Sequence, residues 1–150
     1  MAAQATMLSP QQLIEAAKAP LIAYGRKDWN GVRASITPNF VYDEVATGRT
    51  AQGADAALEL WRGWATAFPD SAATFHSALV SGATVVLELT WNGTHTGPME
   101  TPKGLIAATG KTIEVRACNV VEVAADTGRA KLQRHYFDLA TLLQQIGVAS

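Results

Sequence analysis

The chain has 150 residues, of which 48% are hydrophobic and 17% charged. That is enough apolar material for one core and too little charge for disorder. Twelve Lys and Arg against thirteen Asp and Glu leave a formal charge of −1, which gives no electrostatic reason to expect nucleic acid or an anionic membrane as partner.

Cys118 is the only cysteine, so no internal disulfide forms and no oxidising compartment is required. Residues 1–10 lack the basic start and apolar run of a signal peptide. No stretch reaches the roughly 20 apolar residues that span a bilayer. The expectation is a cytoplasmic protein, a single domain over 1–150 with residues 1–8 flexible.

Ser9-Pro10-Gln11-Gln12 predicts a helix start, with Ser9 as cap, Pro10 at the first helical position and Gln12 closing a capping box. Leu13, Ile14, Ala17, Leu21 and Ile22 continue at helical spacing. Asp28 can cap a short second helix that ends before Pro38. A strand is expected over Phe40–Val45, then a turn at Thr47-Gly48-Arg49. A third helix, from about Asp55 to Phe68, carries Leu58, Trp61, Trp64, Ala65 and Phe68 as one stripe and stops at Pro69-Asp70.

Strands dominate the remainder. Thr74–Val80 leads through a Ser81-Gly82 turn into Thr84–Thr96, where Val85, Leu87, Leu89 and Trp91 alternate with Val86, Glu88 and Thr90. A loop is expected over Gly97–Gly110. Thr112–Val123 and Ala130–Phe137 are two more strands, joined by a turn at Asp126-Thr127-Gly128. Asp138 begins a last helix, which Gly147 stops. Helices first and antiparallel strands after argue for an α+β fold rather than a doubly wound sheet. Long antiparallel strands curl, and a curled sheet with helices laid on it encloses an apolar cavity.

Four local patterns resemble a known family. They are Lys27-Asp28-Trp29 with Thr37-Pro38-Asn39-Phe40; the Trp-bearing helix ending in Phe68-Pro69-Asp70; Gly93-Thr94-His95-Thr96-Gly97 with Thr109-Gly110-Lys111; and Tyr136-Phe137-Asp138 leading into Leu142-Leu143-Gln144-Gln145-Ile146-Gly147. In this order, over roughly Ser9 to Gly147, the chain resembles the SnoaL-like polyketide cyclases of the nuclear transport factor 2-like superfamily. The resemblance implies a cone, an α+β roll in which N-terminal helices close a curved antiparallel sheet. It implies a homodimer packed through the sheet; the outer face expected here carries Val86 and Val120, and pairing two such faces would make that dimer. It also implies ring closure by an intramolecular aldol reaction on an apolar, polyketide-like small molecule, with an acid/base group and neither metal nor other cofactor.

The family's acid/base carboxylate lies within the last strand, which here reads Leu132-Gln133-Arg134-His135-Tyr136-Phe137 and has none. Asp138, just beyond it, is therefore one candidate, although Asp138 is equally a good helix cap. His135 titrates near neutrality and is another candidate; its alternative is the outer sheet face. His95 shares strand parity with Leu89 and Trp91 and is the third, against a plain strand-end histidine in water. Expected binding residues are Asn119, Trp91, Trp61, Trp64, Phe68, Tyr42, Glu44 and Arg116. Asn119 is an amide in an apolar strand that needs partners. Arg116 either binds a carboxylate or faces solvent. Asp43 and Glu44 point to opposite faces, so one of them can enter the cone.

Other chemistries stay open. One is a non-catalytic pocket protein or accessory subunit. Another is a ketosteroid-isomerase-like enzyme using Tyr24 as oxyanion donor. A third is a limonene-type epoxide hydrolase built on Asp138 with Arg134 or Arg116. The three histidines follow no metal-binding spacing.

Overall fold

A computed structural model describes residues 7–148. Most of the expected flexible segment, residues 1–6, lies outside the described residues. The elements are α1 (Pro10–Gly25), α2 (Trp29–Ser35), β1 (Ile36–Glu44), β2 (Arg49–Gln52), α3 (Ala54–Ala67), β3 (Ala72–Ser81), β4 (Thr84–Thr94), β5 (Met99–Thr101), β6 (Gly104–Ile106), β7 (Thr112–Ala124), β8 (Arg129–Phe137) and α4 (Leu139–Gln145).

The start of α1 follows the sequence closely. Ser9 Oγ accepts from Gln12 N at 3.1 Å and Gln12 Oε1 accepts from Ser9 N at 2.8 Å, a complete capping box. Leu13, Ala17, Pro20, Leu21 and Tyr24 form its buried stripe. Asp28 caps α2 through Gly31 N. In α3, Ala54, Ala57, Leu58 and Trp61 face inward at helical spacing.

Six strands form an open, curved sheet in the order β2-β1-β8-β7-β4-β3. Every neighbour pair is antiparallel except β1 with β8, which run parallel. In that pairing the first strand meets the last at the middle of the sheet. Val85, Leu87 and Leu89 are fully buried on the inner face, as their alternation predicts. Alpha1 and α3 lie against this face: α1 covers β3, β4, β7 and β8, and α3 covers β1 and β2. Each buried aliphatic or aromatic side chain contributes about 1.5–3 kcal/mol.

Two expectations differ. Arg49 opens a short strand, β2, because the turn before it returns the chain along β1 in register Glu44↔Arg49. The expected loop over Gly97–Gly110 contains a small hairpin, β5–β6, with Met99 buried against the end of α3. Short, Pro- and Gly-flanked strands carry too few residues for alternation to register.

The buried side chains fall into two clusters. The larger lies under α1 and α3. The smaller joins Ala67, Phe68, Met99, Ile113, Val115, Leu142 and Ile146 where α4 meets the sheet. Gly97 holds the segment after β4 against the end of α3, since its amide donates to Ala67 O at 3.2 Å. A Cβ at Gly97 would fall inside the Thr66 carbonyl oxygen, which is fixed backbone. Gly97→Ala is expected to lower the thermal midpoint by 10 °C or more, at about 4 °C or less per kcal/mol for this size. Gly63→Ala, in open space on α3, is expected to raise stability by about 0.5–1 kcal/mol through helix propensity. Thermal unfolding of both variants tests the contrast.

Candidate active site

Between the two clusters lies a cavity lined by residues from α1, α3, β4, β7, β8 and α4. Its walls are apolar and aromatic: Trp61, Trp64, Phe68, Trp91 and Phe137, with Leu21, Ile113, Val115 and Leu142. The polar side chains reaching it are few: Tyr24, Ser71, Gln133 and His135, apart from the indole N–H groups. Its free volume is about 70 Å³, less than the roughly 150 Å³ of a cavity that holds benzene. A ring-sized ligand therefore requires a wall to move, and Trp91 is only half-buried.

The parallel β1–β8 pairing builds the first polar group. It sets Tyr42 beside Gln133 and Glu44 beside His135, all four on the inner face. Glu44 is fully buried. Its Oε2 accepts from Tyr42 Oη and from Trp64 Nε1, both at 2.8 Å. Its Oε1 accepts from Thr47 Oγ1 at 2.5 Å and from Arg49 Nε and Nη2 at 3.0 and 2.7 Å. Burial pushes the Glu44 carboxyl up, but the hydrogen bonds from Thr47, Trp64 and Arg49, with the Arg49 charge, outweigh it and hold the group below the usual range. Glu44 is an anion.

Tyr42 Oη also lies 2.8 Å from His135 Nδ1, and Trp91 Nε1 donates to His135 Nε2 at 3.0 Å. An indole N–H can only donate. His135 Nε2 must therefore carry the lone pair, which assigns the proton of the neutral ring to Nδ1. The order is then fixed: Trp91 donates to His135, His135 to Tyr42, and Tyr42 to Glu44. All donors point toward the carboxylate, so electron density is pushed toward Nε2 at the cavity wall. Burial brings the His135 pKa down to about 4, against the opposing pull of the Glu44 charge. At neutral pH the ring is uncharged and Nε2 is an acceptor.

The second polar group lies on α1 and the segment after α3. Tyr24 Oη and Ser71 Oγ are 2.7 Å apart, and Lys27 Nζ donates to Ser71 O at 2.5 Å and approaches Ser71 Oγ at 3.4 Å. Lys27 adopts a left-handed φ of 54°, rare for a residue with a side chain. Burial raises the Tyr24 phenol to about 12, partly opposed by the bond to Ser71. Tyr24 thus stays protonated and can donate.

The expected residues divide on this geometry. His135, Trp91, Trp61, Trp64 and Phe68 line the cavity. Tyr42 and Glu44 lie one layer behind His135. Asn119 is buried behind Gln133, whose Nε2 donates to Asn119 Oδ1 at 2.8 Å. Asp138 is exposed and does not line the cavity. It caps α4, its Oδ1 accepting from Thr141 N at 3.0 Å and its Oδ2 from Thr141 Oγ1 at 2.6 Å. The strand ends at Phe137, so Asp138 is spent on the helix start and the acid/base expectation for it does not hold.

His95 is buried, but behind Phe68, with its ring 5.2 Å from the Phe68 ring and Nδ1 3.0 Å from Thr109 Oγ1. The chain leaves β4 at Thr94, so strand parity no longer directs His95 into the cavity. Arg116 is exposed on the outer face, because it alternates with the inward-facing Val115 and Ala117. Arg134 also faces outward, 3.4 Å from Glu122. No Asp-Arg-Asp arrangement therefore meets the cavity, which removes the geometric basis of the epoxide-hydrolase alternative. Cys118 is half-buried on that outer face, where burial and Glu88 raise its thiol pKa.

Sequence reading missed Gln133, Ser71, Thr47 and Arg49. Gln133 was legible, being two residues from His135 on one strand. The Glu44 contacts to Thr47 and Arg49 needed the β1–β2 register. Among the described residues no cluster of three or more His, Cys, Asp or Glu is placed to hold a metal ion, and no helix is long and apolar enough to cross a membrane.

The neutral His135 has a consequence for stability. Unfolded, it binds a proton below about pH 6.5; folded, only below about 4. Between those values the unfolded state binds more protons, so stability is lost as pH falls through that window, by roughly 3 kcal/mol at most. Urea midpoints measured from pH 7.5 to 4 are expected to fall steeply, and to fall less in His135→Phe.

Comparison with known proteins agrees with this architecture. The sequence profile of the SnoaL-like polyketide cyclase family matches residues 15–146. No curated protein sequence matches the chain significantly. Among solved structures, a candidate SnoaL-like polyketide cyclase from Jannaschia sp. CCS1 superposes with a TM-score of 0.79 at 20% identity, covering 97% of this chain and 99% of that one. TsrD from Streptomyces laurentii gives 0.77 at 21% identity, covering 93% and 98%. An LEH-like epoxide hydrolase from M. tuberculosis gives 0.69 at 24%, covering 91% and 90%. At these identities the likeness is one of fold. With the profile spanning nearly the whole domain, from the middle of α1 to the end of α4, the chain belongs to the SnoaL-like polyketide cyclase family.

Proposed function

We propose that this chain is a cofactor-free acid/base enzyme that moves a proton beside a carbonyl of an apolar, polyketide-like molecule and so closes a ring. One observation carries the reading: His135 Nε2 stands at the wall of an apolar cavity, backed through Nδ1 by Tyr42 and the buried Glu44 carboxylate. A base with that backing gains a compensating charge the moment it becomes imidazolium. Substrate displaces the Trp91 indole from Nε2 and brings its C–H into the vacated position.

His135 Nε2 then takes the proton, and the C–H electron pair shifts into the carbonyl to form an enolate. The Tyr24 and Ser71 side chains, which also line the cavity, stabilise the enolate oxygen. The enolate carbon attacks a second carbonyl of the same molecule, forming the ring bond. The resulting alkoxide takes the proton back from His135. The aromatic walls exclude extended conformers, which supplies the entropic part of the acceleration. A second reading, a binding protein without turnover, draws on the fact that both His135 nitrogens are already hydrogen-bonded.

The sheet's outer face supports a homodimer. Leu79, 67% exposed, is in register with half-buried Val86, and Val86 with half-buried Val120. Together they make an apolar stripe across three strands.

A substrate-independent assay tests the base. Kemp elimination of 5-nitrobenzisoxazole reports C–H proton abstraction by the absorbance of its phenolate product. The wild-type protein is expected to accelerate it, with an acid limb near pH 4, below the ordinary histidine value. His135→Ala is expected to lose at least a hundredfold, and Tyr42→Phe about tenfold. Equal rates in wild type and His135→Ala would leave the binding-only reading. For the dimer, light scattering at micromolar concentration is expected to give twice the chain mass, and Val120→Lys half of that; a wild-type monomer would refute it.

A further inference from the structure

The cavity holds one polar group that the proposed proton transfer does not use. Gln133 is 2% exposed and lines the cavity two residues before His135 on β8. Its Nε2 is committed to Asn119 Oδ1 at 2.8 Å. Its Oε1 has no hydrogen-bond partner among the described residues, and neither does Asn119 Nδ2. Asn119 itself is fully buried. A buried amide oxygen left unpaired is destabilising, and an apolar pair of the same shape would avoid that cost altogether.

Exchanging the oxygen and nitrogen of both amides does not remove the problem. Oε1 of Gln133 would then accept from Asn119 Nδ2, and Gln133 Nε2 would be the group left over. In either arrangement the Gln133–Asn119 pair satisfies itself once and leaves one unsatisfied amide atom on Gln133, a residue that lines the cavity. Asn119 fixes the Gln133 side chain from behind, so the free atom is held in place before any ligand arrives.

From this we infer that Gln133 is a specificity-determining residue that receives a hydroxyl group of the ligand, so that the preferred ligand is a hydroxylated ring compound rather than a bare hydrocarbon or a ketone. A hydroxyl pairs with the amide in both arrangements, donating to Oε1 or accepting from Nε2. A ketone oxygen pairs in only one. The flat aromatic walls formed by Trp61, Trp64, Trp91 and Phe137 suit a ring. Gln133 and His135 lie two residues apart on one strand face, roughly 6–7 Å along β8. The ligand's hydroxyl and the atom that meets His135 therefore face neighbouring positions on one strand face.

This inference adds a substrate class to the proposed reaction but is read by binding alone, so loss of the His135 reading leaves it standing. Phenol and toluene are near-isosteric and differ in the hydroxyl. Isothermal titration measures the ratio of their dissociation constants in wild type, Gln133→Met, the double variant Gln133→Met with Asn119→Leu, and His135→Ala. The expected result is that the preference for phenol over toluene falls at least tenfold in both Gln133 variants and is kept in His135→Ala. The double variant, which removes both unpaired atoms, is also expected to unfold at or above the wild-type temperature, which guards against misfolding as the cause. An unchanged ratio in the Gln133 variants overturns the inference. So does a ratio that collapses only in His135→Ala, which would place the hydroxyl at the histidine.

Discussion

The carboxylate of Glu44 is the constraint on which the site depends. A buried, ionised carboxylate is tolerated only when it is paired and hydrogen-bonded. Glu44 meets that requirement with five hydrogen bonds from four side chains. Those side chains come from β1 itself, the β1–β2 turn, β2 and α3. The helix, the hairpin and the strand are thus held to one another by a single charged group, at a point where a misplacement of any of them would leave a charge unpaired.

The same carboxylate helps to set the tautomer of His135, while burial sets its charge. Tyr42 lies between them and carries the influence of the anion to the ring. Burial alone would make His135 a poor base, and the direction of its shift shows that burial prevails in the free protein. What the Tyr42–Glu44 relay provides is a fixed tautomer and a waiting counter-charge. The lone pair is directed to the cavity and covered by Trp91, a wall residue that is itself only half-buried.

The tryptophans therefore have two roles. Trp64 is a wall of the cavity and a donor to Glu44; Trp91 is a wall and a donor to His135. Each satisfies the usual demand that a buried indole N–H find a partner, and in doing so joins the apolar lining to the polar network behind it. The cavity lies at the seam of the two core clusters, where packing across the gap is incomplete.

Much of this was written locally. The capping box at Ser9, the caps at Asp28 and Asp138, the stripe of α3 and the alternation of β4 are short-range patterns, and the α+β order of elements followed from them. Their physics acts over three or four residues, so the sequence by itself determined it. The placement of the acid/base candidates was not of that kind. Asp138 and His135 were both credible, and only the point where β8 gives way to α4 assigned one to a helix cap and the other to the cavity. The parallel pairing of β1 with β8, 93 positions apart at Tyr42 and His135, brought Glu44, Tyr42, Gln133 and His135 together. No local pattern encodes a contact of that range, because it is set by how the whole sheet closes around its core.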